Sequence, residues 1–267
     1  MPYARNRLDG TRVYFEDDGG EGAPVLLYGG ILDTVGLVRR SGIARALQEL
    51  GGEFRLIYAD HRGLGRSDKP HEPDAYAMAL QVADAVAILD VLGIARAHVV
   101  GRSYGARLCF GLAEHAPERL RSLVAGGQQP CEMRPDGPIL RVVVSVLDRT
   151  RQEGARAFVE ALEDFSGIRF PEEERRGYLD QDGAALAAAA EALAGQGPIS
   201  DDLTRWRVPC LLYLGAGDLD FVEQARRAAE EIPNAELVEL DELDHLGAHF
   251  EVERVVPAVV RTLRENG

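Results

Sequence analysis

The chain has 267 residues, 46% of them hydrophobic, enough to bury one large core or one core with a modest insertion. Its 44 acidic residues against 30 basic ones give a formal charge of −14, a surface that repels phosphate backbones and anionic membranes, so nucleic-acid and membrane-surface binding are excluded. Three scattered cysteines, Cys109, Cys131 and Cys210, make neither a disulfide framework nor a zinc site.

The first stretch, "RNRLDGTRVYFEDDG", predicts a hairpin turning at Asp9-Gly10, an antiparallel edge to a sheet. It lacks the apolar core of a signal peptide, and no run in the chain approaches the ~18 apolar residues of a membrane span, so a cytoplasmic protein is the expectation. Short apolar runs then follow at 24–29 (PVLLYG), 55–60 (RLIYAD), 98–101 (HVVG), 122–127 (SLVAGG) and 210–215 (CLLYLG). Continuous rather than alternating apolarity predicts strands buried on both faces, as in a parallel sheet covered by helices. Helical spacing appears between them at Val82, Val86 and Leu89, and again from Val252 to Leu263, where Pro257 either starts the last helix or kinks it. Strand–helix alternation over most of the chain predicts a doubly wound α/β fold.

About eighty residues break that rhythm, between the strand near Gly127 and the one near Pro209. They include two helix-forming stretches, at 142–165 and 182–195, and are longer than a simple crossover requires. The expected organisation is therefore a core of residues 1–129 and 209–267 with a helical cap inserted at 130–208. Helices at roughly 138–165 and 172–195 should roof the mouth of the sheet. Some of Ile139, Val142, Val143, Val146, Phe158, Leu162 and Phe165 should then face a pocket.

At the junction of strand and helix in "HVVGRSYGARL" a serine stands between two glycines. A residue held on so tight a turn projects clear of both elements, and small residues two positions either way let helix and strand approach. Gly101-Arg102-Ser103-Tyr104-Gly105 therefore fits the GxSxG nucleophile elbow in its required strand–turn–helix context. A serine hydroxyl becomes a nucleophile only when a base takes its proton and a carboxylate orients that base. Asp218 in "LGAGDLD" falls just past an apolar strand, and the next probable strand, "AELVEL" (235–240), leads into His245 in "DELDHLGAHFE"; both are strand ends, where active groups of open α/β sheets gather.

Several separated motifs resemble those of the α/β-hydrolase family: "LLYGGI" (26–31), "YADHRGLGRSDKP" (58–70), "VVGRSYGA" (99–106), "LYLGAGD" (212–218) and "LDHLGAHFE" (243–251). The resemblance spans nearly the whole chain, and implies the α/β-hydrolase fold: a mostly parallel doubly wound sheet with an N-terminal antiparallel edge and a helical cap. It implies Ser103 as nucleophile, His245 as general base and then acid, and Asp218 as the residue orienting His245, with His249 the rival base. Asp220 and Asp244 are expected beside the site without a catalytic part. Asp60 is implied to hold the turn of its loop. The oxyanion hole would take the Tyr104 N–H and a second N–H from the loop after "LLYGG", assigned to Gly30 with Ile31 second. Ile31, Cys131 and Phe165 are the expected substrate-lining residues.

The chain departs from the family pattern at two positions. Tyr28 stands where the family has histidine before the loop glycine. Arg102, a charged residue beside the nucleophile, needs a partner, for which Asp60 and Tyr28 are the candidates. The implied activity is hydrolysis of a small-molecule carboxylic ester or lactone through an acyl-enzyme, with no cofactor and no metal. Carbon–carbon bond hydrolysis, perhydrolysis and thioester cleavage or acyl transfer use the same residues. A non-catalytic small-molecule-binding protein of this fold is the reading from another class. The sequence leaves oligomeric state open.

Overall fold

The computed structural model describes residues 2–134, 136–219 and 221–267, so Asp220 lies outside the described residues. Among these, eight strands form one sheet: β1 (Tyr3–Arg5), β2 (Arg12–Asp17), β3 (Ala23–Tyr28), β4 (Phe54–Ala59), β5 (Ala97–Arg102), β6 (Leu120–Gly126), β7 (Cys210–Gly215) and β8 (Ala235–Leu240). Their order is β1-β2-β4-β3-β5-β6-β7-β8. Both pairings of β2, with β1 and with β4, are antiparallel, and the remaining pairs are parallel. The expected hairpin edge is present, its turn closed by Asn6 and Thr11 with Gly10 at φ 80°.

Helices α1 (Val35–Val38), α2 (Gly42–Glu49), α3 (Met78–Val91) and α4 (Tyr104–His115) precede the long connection. That connection holds α5 (Pro138–Ser145), α6 (Leu147–Glu153), α7 (Ala155–Ser166), α8 (Glu172–Leu179) and α9 (Gly183–Ala194). After it come α10 (Val222–Glu231), α11 (Gly247–Phe250) and α12 (Val256–Glu265). Pro257 sits in the first turn of α12, where its missing N–H costs nothing, so it starts that helix rather than kinking it. The expected cap helices are shorter than their apolar pattern suggested. The chain leaves helical geometry at Val146 (φ −111°) and at Gly154 (φ 85°), which a side chain would resist.

The continuous apolarity of the strands has a direct cause. Leu26, Ile57 and Val99 face a core layer built with α3 and α4, whereas Val25, Leu56 and Val100, one residue away, face a second layer built with α2 and α12. With both faces covered, β7 is buried at every position and the other central strands at most of theirs. Cys109 and Cys210 are packed in the first layer as small apolar residues.

β3 lies between β4 and β5, so the chain winds first to one side of β3 and then to the other. The crevice of a doubly wound sheet opens at that reversal, at the carboxyl ends of β3 and β5. Here those ends lead into Gly29–Ile31 and Ser103.

Two buried histidines give the fold a pH dependence. Burial holds His61 and His98 down, each at about 4. Between that value and the unfolded value of about 6.5 the unfolded chain binds protons that the folded chain does not, so stability falls as the medium is acidified. The expected loss is about 1 kcal/mol per pH unit for each histidine. Urea midpoints at pH 7, 6 and 5 should decline steadily, and a flat series would contradict this assignment.

Candidate active site

Ser103 joins β5 to α4 with φ 51° and ψ −113°, a conformation costing about 1–3 kcal/mol in a residue with a side chain. Its N–H donates to the Gly126 carbonyl of β6 at 2.7 Å, which holds the turn against the neighbouring strand. The flanking glycines are required by contact. A Cβ on Gly101 would lie 2.3 Å from the Gly105 carbonyl oxygen, and one on Gly105 would lie 2.7 Å from that of Gly29.

Three strand ends converge here. Asp218 follows β7, and its carboxylate accepts a 2.7 Å hydrogen bond from His245 Nδ1, which lies after β8. The Nε2 of the same ring stands 3.1 Å from Ser103 Oγ. Asp218 is 4% exposed, so its charge acts on the imidazole with little competition from water. With Nδ1 donating to Asp218, Nε2 carries the lone pair that faces the serine.

His249 is placed otherwise. It packs on Phe250 in α11, and burial together with Arg102 holds it well below the ordinary histidine range, with Asp33 opposing. Among the described residues no hydrogen bond joins it to Ser103. Asp244 accepts from the Gly247 N–H at 2.7 Å and so caps the turn behind His245. Asp60 accepts from the Val35 and Arg66 N–H groups at 2.6 and 2.8 Å, tying its own loop to α1.

The loop expected to complete the oxyanion hole differs from expectation. Tyr104 opens α4, where its N–H has no acceptor within the helix. The Gly30 N–H, however, donates to Asp33 Oδ2 at 2.7 Å, so the expected free donor is engaged by a carboxylate. Burial would raise the Asp33 carboxyl, but Arg102, His249 and the hydrogen bonds from Gly30 and Tyr178 bring it below its ordinary value. Bracing of the loop comes from an unforeseen residue. His61, kept neutral by burial, packs between the tilted rings of Tyr28 and Tyr104 and donates from Nε2 to the Gly29 carbonyl at 3.1 Å. Tyr28 has a buried hydroxyl with no hydrogen-bond partner among the described residues. The imidazole missing at Tyr28 is thus supplied from the loop after β4.

A pocket of about 80 Å³ adjoins Ser103 and His245. Helices α5, α7 and α9 contribute Ile139, Leu140, Val143, Phe158, Leu162 and Leu193, and Ile31 is part of the same lining. Two of the expected lining residues are not. Phe165 is 45% exposed: it shares a face of α7 with Phe158 and Leu162, but lies about 10 Å along the axis from Phe158, past the pocket's edge. Cys131 is held away because the Arg107 guanidinium binds the carbonyls of Gln129 and Cys131, each at 2.8 Å, and Met133 lines the pocket instead. Arg102 pairs neither with Asp60 nor with Tyr28; its nearest acid is Asp33, at 3.6 Å. Asp33 and Tyr178 are lining residues that sequence reasoning missed. The only sequence signal for Tyr178 is its position as the lone aromatic in the charged helix α8.

A family model described as alpha/beta hydrolase fold matches residues 23–198. A putative carbamate hydrolase of Caulobacter sp. (strain K31) is 32% identical over 207 residues, covering 73% of this chain and 75% of the other. Among solved structures, a thermophilic esterase from Thermogutta terrifontis aligns with TM-score 0.80 and 26% identity, over 98% of this chain and 97% of its own. The enol-lactonase from Burkholderia xenovorans LB400 aligns with TM-score 0.80 at 23% identity, over 98% and 100% of the two chains, a likeness of fold.

Proposed function

Because this chain belongs to the alpha/beta hydrolase fold family, we propose that it is a serine hydrolase cleaving a small carboxylic ester or lactone through an acyl-enzyme on Ser103. The observation that carries this reading is the unbroken relay from Asp218 to His245 to Ser103, at 2.7 and 3.1 Å. His245 takes the Ser103 proton as Oγ attacks the carbonyl, and Asp218 stabilises the imidazolium that results. The same imidazolium then protonates the leaving oxygen. In the second half of the reaction His245 activates water against the acyl-enzyme. Tyr104 N–H supports the developing oxyanion, and Gly30 N–H joins it by exchanging Asp33 for that oxygen, one charge-assisted hydrogen bond for another.

We assign residues 130–208 as the cap. Its apolar side chains close a space of about 80 Å³, far below the roughly 300–1,000 Å³ of drug-sized sites, which favours a small acyl group. The names of the relatives, a putative carbamate hydrolase and an esterase, agree with acyl chemistry. The test is labelling with an uncharged fluorophosphonate together with a p-nitrophenyl ester series from acetate to octanoate. We expect one label, on Ser103, and rates that fall with chain length. A protein that binds the esters but takes no label would be a binding module and not an enzyme of this kind.

A further inference from the structure

We propose that the acyl compound hydrolysed at Ser103 carries a free carboxylate and that Arg102 binds it. This deepens the serine-hydrolase reading and rests on it. Arg102 is the last residue of β5, directly before the nucleophile, and its side chain is only 18% exposed. It lines the Ser103 pocket and also an adjoining cavity of about 330 Å³, forming with Asp33 and Tyr178 part of the wall between them.

The guanidinium is left open by its own fold. None of its N–H groups makes a hydrogen bond among the described residues, and its Nε is fully buried without a partner. The nearest carboxylate oxygen, Asp33 Oδ2 at 3.6 Å, is beyond hydrogen-bond distance and already accepts from Gly30. The other oxygen, Oδ1, accepts from Tyr178 at 3.1 Å. The two fully buried arginines are treated quite differently. Arg62 donates to Asp84, Asp9 and the carbonyls of Ala75 and Leu80. Arg107 donates to three carbonyls and Gln196. The protein saturates its structural arginines and leaves the one beside the nucleophile unsatisfied.

A desolvated guanidinium without an acceptor is costly, and its planar fork matches a carboxylate in two parallel hydrogen bonds. Arg102 is also the only arginine or lysine among the described residues lining the Ser103 pocket. In a chain of net charge −14, an anionic substrate gains nothing from the overall field, so a local cation must supply the attraction. Asp33 offsets part of that charge at 3.6 Å, but both its oxygens accept from Gly30 and Tyr178, so the guanidinium keeps its N–H donors for a second carboxylate.

The experiment compares kcat/KM for mono-p-nitrophenyl glutarate and p-nitrophenyl pentanoate in the wild type and in Arg102→Gln. The wild type is expected to favour the half-ester about 10- to 100-fold, and the variant to lose that preference. Fluorophosphonate labelling of Ser103 is followed in both proteins. A wild type that labels at Ser103 yet prefers the pentanoate ester, or a variant with the wild-type ratio, would overturn the Arg102 assignment while leaving the serine hydrolase intact. Absence of labelling in the wild type would sink both. If Arg102→Gln does not fold, the wild type decides alone. Glutarate should slow its labelling and glutaramide should not, and equal effects of the two would overturn the proposal.

Discussion

Replacing Ser103 by alanine is expected to remove turnover by about 10⁵- to 10⁶-fold while leaving the fold in place. The elbow is held by backbone contacts, the Ser103 N–H on Gly126 and the Gly105 N–H on Gly29, which alanine retains. The strained φ of 51° remains as well, so the change removes Oγ and little else. His245→Ala should lose almost as much, because the hydroxyl 3.1 Å away then has no base. The two losses should not add. The double variant is expected to be hardly slower than either single one, since the serine and histidine act as one unit. Initial rates on p-nitrophenyl acetate, with circular dichroism to verify folding, check all three. Retention of near-normal activity in Ser103→Ala would end the acyl-enzyme reading.

The arrangement behind that expectation was legible in the sequence for a physical reason. Strands such as "CLLYLG" are apolar at every position because two core layers cover them, so their carboxyl ends are marked by the first polar residues that follow. Asp218 is such a residue after β7, whereas Ser103 is marked by the glycines around it and His245 by its place after the partly buried β8. The glycines of the elbow were equally visible, since a Cβ at either position would collide with backbone.

What stayed hidden depends on side chains meeting across the chain. Asp33 touches Tyr178, 145 residues away, and no periodicity carries that information. The brace from His61 to Gly29 was masked because Tyr28 occupies the familiar position and His61 matches no motif. Engagement of Gly30 by Asp33 is local, yet it turns on whether the aspartate folds back over three residues. Phe165 shows the limit of helical phase: it lies on the correct face of α7, but a face is longer than the pocket it roofs.

Asp218→Asn is the second large effect, expected to lower kcat by about 10⁴-fold without disturbing the site's shape. The argument lies in the 2.7 Å contact with His245 Nδ1. A carboxylate can only accept there, so Nδ1 must carry the proton and Nε2 must present a lone pair to Ser103. An asparagine amide can donate instead. If its NH₂ group faces the ring, Nδ1 becomes the acceptor and the proton moves to Nε2, where it points at the serine and blocks proton transfer. If the amide turns its oxygen to the ring, the tautomer survives, but the imidazolium formed during attack loses its charge partner. Both outcomes raise the barrier, which is why a change of one atom should cost so much. Asp218 is nearly inaccessible to water, so no solvent dipole replaces the lost charge. Affinity for substrate should change little, because Asp218 does not line the pocket. The check is therefore a split in steady-state kinetics, with kcat reduced and KM nearly constant, and slowed labelling of Ser103. Asp218→Asn protein with wild-type kcat would require a different acid behind His245.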